Sequence, residues 1–264
     1  MKIVTNSTEL VSGCAFVPTM GALHEGHASL FRAAKEINDV VVASIFVNPL
    51  QFENSEDLAK YPRTPDRDIE LAAVSGVTHL WLPNQSEIYP GEPKIISAGD
   101  LGNIYEGASR KGHFDGVLTV VQRLFDLVKP KQAIFGEKDF QQLTLIKKIS
   151  GEIEIISAPI VREADGLAMS SRNVRLDENS REKASVISRA LITASKAKSL
   201  ESAQKILREV LASEDSLTVD YAEIIDEKDF STAVPSTQMK RGIVAGWLNG
   251  VRLLDNMQMD IGSE

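Results

Sequence analysis

At 264 residues and 43% apolar composition, the chain can bury a substantial core in one large or two unequal domains. Its 37 acidic against 29 basic residues give a formal charge of -8, which disfavours a broad nucleic-acid surface while leaving room for a local basic pocket for small anions. A single cysteine excludes an internal disulfide framework. With neither a charged-then-apolar leader nor an apolar run of about 18 residues, the expectation is a soluble cytoplasmic protein that partners neither membrane nor nucleic acid.

Short apolar runs alternate with helix-length segments through roughly the first 160 residues, as a parallel sheet requires. Ala15 to Val17 reads as a strand, Ala28 to Asn38 as a helix, and Val40 to Phe46 as a strand buried on both faces. Thr64 and Pro65 open a helix through Ala73, with Thr64 as cap and Asp66 and Asp68 at its positive end; Gly76 stops it before a strand from Val77 to Leu82. Pro83 to Asn103 has no clean period and reads as a loop or small excursion. A helix over Gly116–Val128, a strand over Gln132–Phe135, a helix over Phe140–Ile149 and a strand over Glu152–Ile156 complete the pattern. The succession predicts a doubly wound α/β domain over 1–160. Residues 161–264 change character. A long, broken helical region from Asn179 to Val210, an extended Leu217 to Ile225 and an alternating Ile243 to Met259 punctuated by Asn249-Gly250 predict a smaller α+β domain.

Three segments carry chemistry. PTMGALHEGH at 18–27 follows an apolar strand and precedes a helix, so its backbone N–H groups can face an anion, with Gly21 and Gly26 allowing tight turns and close approach. It is neither a Walker A loop, lacking Gly-Lys-Ser/Thr, nor G-x-G-x-x-G. His24 and His27, three apart, suit the oxygens of ATP phosphates; a helix cap, a satisfied core histidine and half of a metal site remain as other readings. In Gly136-Glu137-Lys138-Asp139, Lys138 brings a compact charge to a strand-to-helix turn, and Asp139 either caps the helix or orients an amine or ribose hydroxyl. Met169-Ser170-Ser171-Arg172 supplies two hydroxyls and a guanidinium suited to closing over ATP, with ordinary turn chemistry as the other account.

Substrate candidates sit between them. Gln51, in the turn after the second strand, offers both ends of an amide to a hydroxylated or amino substrate. Tyr61, Arg63 and the Arg110–Phe114 stretch containing His113 are further substrate or phosphate candidates, each equally readable as a solvated loop. Gln142 lies four residues beyond Lys138, a spacing that on a helix can direct its amide toward the same mouth, with an ordinary surface hydrogen bond as the other reading. Cys14, in an apolar strand pattern, offers no case for thiol catalysis. Besides an acyl-activating ligase, a nucleotidyltransferase that stops at the nucleotidyl product and a nucleotide-binding regulator without turnover would share these segments.

Across essentially the whole chain the sequence resembles the pantothenate synthetase, or pantoate–β-alanine ligase, family. The resemblance rests on PTMGALHEGH at 18–27, SIFVNPLQF at 44–52, YPRT at 61–64, EGASRKGHFDGV at 106–117, FGEKDFQQL at 135–143 and DGLAMSSRN at 165–173. It implies a Rossmann-like amino-terminal domain of the nucleotidylyltransferase superfamily, a smaller carboxy-terminal lid and a cytoplasmic homodimer. It further implies ATP-dependent, magnesium-requiring ligation of (R)-pantoate to β-alanine through pantoyl adenylate, with AMP and pyrophosphate released. Residue by residue, Met20, Gly21, Ala22, Leu23, His24, Glu25, Gly26 and His27 resemble the ATP segment, with His27 catalytic and His24 its partner. Gly136, Glu137, Lys138, Asp139, Val161, Met169, Ser170, Ser171 and Arg172 resemble the remaining ATP contacts. Gln51 matches a position shared by pantoate and β-alanine, Gln142 a second pantoate contact, and Asp68 an acidic position near magnesium and the phosphates. Two departures stand out: Lys111 occupies a place where many relatives carry proline, and the Lys148–Gly151 connection is several residues short. The first is expected to loosen its turn.

Overall fold

The computed structural model describes residues 1–53 and 55–261, and the chain divides into two compact units, Met1–Val161 and Arg162–Glu264. In the first, strands β1 (Lys2–Val4), β2 (Ala15–Thr19), β3 (Val41–Ile45), β4 (His79–Trp81), β5 (Gln132–Gly136) and β6 (Glu154–Ala158) form one sheet. Every pairing is parallel, in the order β1-β4-β3-β2-β5-β6. The direction of winding reverses between β2 and β5, which opens a crevice at their carboxyl ends.

Alternation along the strands builds both faces of this sheet. Val17, Ala43, Leu80 and Ile134 point to one face and meet Phe31 and Ala34 of the helix Glu25–Ile37 together with Ala72 of the helix Pro65–Val74. Burial of each large apolar side chain there stabilises the unit by about 1.5–3 kcal/mol. On the other face, Phe135 meets Phe125 of the helix His113–Val128 edge-on, with ring centroids 6.4 Å apart. Helices on both faces of a parallel sheet make this the doubly wound α/β architecture expected from the alternating runs. Cys14 is fully buried, and burial pushes its thiol up to about 12, which removes thiolate reactivity.

Several boundaries differ from the sequence expectation. Strand β1, only three residues long and exposed at Lys2 and Ile3, carries too little pattern to be read. The strand expected at Val77–Leu82 pairs only over His79–Trp81, and that expected at Glu152–Ile156 forms over Glu154–Ala158, in register with β5. Pro83–Asn103 holds two short helical turns, Gln85–Ile88 and Asp100–Asn103. Thr64 makes no side-chain cap; its hydroxyl donates instead to Asp68 Oδ1 at 2.8 Å.

In the second unit, helices Glu178–Ala184, Val186–Ala194 and Leu200–Leu211 replace the single broken helical region. They accompany an antiparallel sheet of β7 (Leu217–Asp226), β8 (Lys240–Leu248) and β9 (Val251–Met259), giving the smaller α+β unit. Ile187, Leu191, Leu207, Val244 and Met259 share its core. Asn249 and Gly250, both at positive φ (47° and 72°), make the two-residue turn between β8 and β9.

Candidate active site

The loop from Met20 to His24 leaves β2 at the winding reversal and enters the helix Glu25–Ile37. Gly21 and Ala22 both take positive φ, at 81° and 49°. A Cβ on Gly21 would stand 2.9 Å from Ile45 Cγ2 and 3.0 Å from Asp68 Oδ2, so the loop needs glycine for space as well as conformation. Asp68 holds the loop from beneath. It is 2% exposed, and its carboxylate accepts the N–H groups of Ala22 (2.9 Å) and Leu23 (2.8 Å) besides the Thr64 hydroxyl. The acid expected beside magnesium thus commits its oxygens to the loop backbone.

His24 is the N-cap of the helix, one of the alternatives left open by the sequence. Its Nδ1 accepts the Gly26 N–H at 3.1 Å, and Nδ1 of His27 accepts the His24 N–H at 3.3 Å, a reciprocal capping box made by two imidazoles. Because each Nδ1 accepts, each neutral ring carries its proton on Nε2. The rings lie 4.1 Å apart, tilted by 47°. Burial first, then the neighbouring His24, pushes His27 down to about 3; Asp139 opposes the shift and Lys138 adds to it. His27 is therefore a neutral donor at physiological pH.

The influence of Lys138 and Asp139 on His27 reflects the nearness of the Gly136–Asp139 segment, which the adjacency of β2 and β5 provides. Lys138 lies in a short 3-10 turn, Glu137–Asp139, with its Nζ 3.7 Å from Asp139 Oδ1. Asp139 makes no side-chain cap to the helix Phe140–Ile149 and pairs with Lys138 instead. Its backbone (φ -95°, ψ 61°) interrupts the helical path, so the continuous four-residue spacing expected between Lys138 and Gln142 is not realised. Gln142 is half-buried on that helix. Its neighbour Gln141, unremarked in the sequence, is buried and donates to the carbonyls of Leu101 and Ile104.

Gln51 ends the short turn Pro49–Gln51 beyond β3. It is buried, with Nε2 2.9 Å from the Met20 thioether and Oε1 accepting from Asn48 Nδ2 at 3.2 Å, which places its carboxamide against the loop that leaves β2. Asn48, also buried, was not singled out by its sequence; an Asn-Pro turn following a strand was the available signal. Tyr61 is buried edge-on to Phe52 (5.8 Å), whereas Arg63 is exposed. Lys111 donates its backbone N–H to Glu53 at 2.8 Å, a bond that proline could not make, so this turn has its own tie where loosening was expected.

The remaining nucleotide candidates lie apart in sequence and element. Val161 ends the first unit, half-buried. In the second unit Ser170 caps the turn Ser171–Arg175 by accepting the Arg172 N–H at 3.2 Å. Asn173 anchors that turn, donating to Ala168 O and Glu163 Oε1, and Met169, Ser170, Ser171 and Arg172 are all partly exposed.

Comparison with known proteins identifies the family. The family model described as pantoate-beta-alanine ligase matches residues 2–258. A pantothenate synthetase of Acidothermus cellulolyticus is 45% identical over 95% of this chain and 86% of its own length, and one of Mycolicibacterium vanbaalenii is 49% identical over 93% and 81%. Among solved structures, pantothenate synthetase from Thermus thermophilus superposes with a TM-score of 0.91 at 40% identity, covering 98% of this chain and 99% of that one. A pantoate-beta-alanine ligase from Francisella tularensis, complexed with beta-gamma ATP and beta-alanine, gives a TM-score of 0.78 at 35% identity over the full length of both chains. A match of this extent to sequence and structure shows that the chain belongs to the pantoate-beta-alanine ligase family of enzymes.

Proposed function

We propose that this chain joins (R)-pantoate to β-alanine at the expense of ATP, through pantoyl adenylate. The observation that carries the reading is the His24–His27 capping box beside Lys138, which turns two neutral Nε2–H donors and a cation into one anion-binding corner. In the first step a pantoate carboxylate oxygen attacks the α-phosphorus and the bond to the β-phosphate oxygen breaks, releasing pyrophosphate. Negative charge redistributes over phosphate oxygens, where preorganised donors stabilise it. In the second step the β-alanine amine attacks the acyl carbon, AMP leaves with the bonding electron pair, and the amine proton passes to solvent. Gln51, against Met20, is suited to orient both organic substrates in turn.

For Gln142 as a pantoate contact, and for Val161, Met169, Ser170, Ser171 and Arg172 as nucleotide contacts, the support is family resemblance. The same holds for the smaller unit as a lid. Among the described residues no group of three or more His, Cys, Asp or Glu side chains could hold a metal, and the Asp68 oxygens already accept from two amides and a hydroxyl. We assign magnesium to the nucleotide, arriving as Mg-ATP.

Purified protein incubated with ATP, magnesium, pantoate and β-alanine should yield AMP, pyrophosphate and pantothenate together, with pyrophosphate release requiring pantoate. Accumulation of a nucleotidyl product inert to the amine would favour a nucleotidyltransferase, and ATP binding without turnover a regulator. We further propose a cytoplasmic homodimer; no helix among the described residues is long and apolar enough to cross a membrane. Light scattering at assay concentration should return twice the 28.9 kDa chain mass, and a persistent 28.9 kDa species would refute the dimer.

A further inference from the structure

A buried polar chain stands behind Gln51. His113, the first residue of the helix His113–Val128, has Nδ1 2.9 Å from the main-chain carbonyl of Gln51 and Nε2 3.0 Å from Arg110 Nη1. A carbonyl can only accept and a guanidinium can only donate. The ring is therefore neutral with its proton on Nδ1, the opposite tautomer to His24 and His27. Arg110 Nη1 lies in turn 3.9 Å from the carboxylate of Glu106, and Glu106 and His113 are both buried.

Two more ties converge on the same turn. Asn48 Nδ2 reaches both Gly116 O (3.0 Å) and Gln51 Oε1 (3.2 Å), linking the first turn of the helix to the side chain of Gln51. Gly116 lets the helix backbone approach: a Cβ there would stand 2.2 Å from Leu50 O and 2.8 Å from Gln51 N. Taking a carboxylate, a guanidinium and an imidazole out of water is unfavourable where apolar packing would serve for stability alone. Here that cost falls at the turn that presents the organic-substrate amide.

We propose that His113, oriented by Arg110 and Glu106, is a positioning residue that sets the Gln51 carboxamide for pantoate and β-alanine; the proposal rests on the ligase reading above. It is tested in the full-length protein with three variants. His113→Asn keeps an N–H donor near the Nδ1 position, His113→Gln moves it toward the Nε2 position, and His113→Ala removes it. KM for pantoate and β-alanine and the ATP dissociation constant are measured separately for each.

His113→Ala should raise both organic-substrate KM values roughly 10-fold, the scale of one lost buried hydrogen bond, while ATP affinity stays within about twofold. His113→Asn should restore most of the loss and His113→Gln should not. An unchanged pantoate KM in His113→Ala, or ATP affinity falling in step with it, would overturn the proposal. Should the alanine variant fail to fold, the Asn–Gln pair decides: equal pantoate KM values in the two overturn the positioning role, and a lower value for Asn supports it. A parent protein without ligase activity overturns the ligase reading itself, and the proposal with it.

Discussion

The backbone N–H of His24 donates to Nδ1 of His27 at 3.3 Å, while Nδ1 of His24 accepts the N–H of Gly26 at 3.1 Å. Two side chains thus satisfy backbone donors that the start of a helix otherwise leaves unpaired. The exchange also settles where both rings carry their protons. Helix capping engages the Nδ1 edge of each imidazole.

Replacing His27 by alanine should reduce pantoyl adenylate formation roughly 100-fold or more, by analogy with removal of one preorganised donor at a developing anion. Pantoate KM should change little. Single-turnover measurement of adenylate separates the two, and a variant that forms adenylate at the parent rate would refute the catalytic role. His27→Gln, which keeps an amide N–H near the Nε2 position, should lie between alanine and parent.

The pH dependence has a definite sign. His27 sits at about 3 against an ordinary 6.5, so as pH falls the unfolded chain takes up the proton first. Stability from the neutral ring is complete above about pH 6.5 and is lost progressively toward pH 3. The melting temperature of the parent should fall more steeply between about pH 7 and 5 than that of His27→Gln. The ring's nitrogen NMR shifts should report the Nε2–H tautomer throughout this range; titration of His27 near its ordinary value of 6.5 would refute the assignment.

Asp68→Asn should destabilise the protein by about 1–3 kcal/mol, because an amide NH2 facing Ala22 N–H or Leu23 N–H leaves a buried donor without its acceptor. ATP affinity should weaken with the loop, while the magnesium concentration for half-maximal activity stays unchanged. Thermal melts and magnesium titrations at fixed nucleotide check both. A several-fold shift in magnesium requirement with an unchanged melting temperature would make Asp68 a metal ligand.

Gln51→Ala should raise KM for pantoate and β-alanine and spare ATP binding, since the family resemblance assigns its carboxamide, held between Met20 and Asn48, to the organic substrates. Calorimetric ATP titration alongside steady-state kinetics distinguishes the two effects. Loss confined to ATP affinity would mean the pocket is oriented the other way.

Periodicity and punctuation alone determined the alternation of strands and helices, the doubly wound class and the Asn249-Gly250 turn, because those depend on which residues share a face and which accept positive φ. The residue types around 18–27 and 136–139 likewise raised the expectation of a phosphate-handling corner. Only tertiary structure decided what individual polar groups do. Asp68 meets Ala22 and Leu23 across some 45 residues of chain, and His113 meets the Gln51 carbonyl across 62. Local spacing carries no information about contacts of that range; sheet order and close backbone approach create them. For the same reason Thr64 read as a cap, and capping was one of two readings of Asp139: capping propensity is local, whereas the partner a buried polar group finally meets is set by the fold.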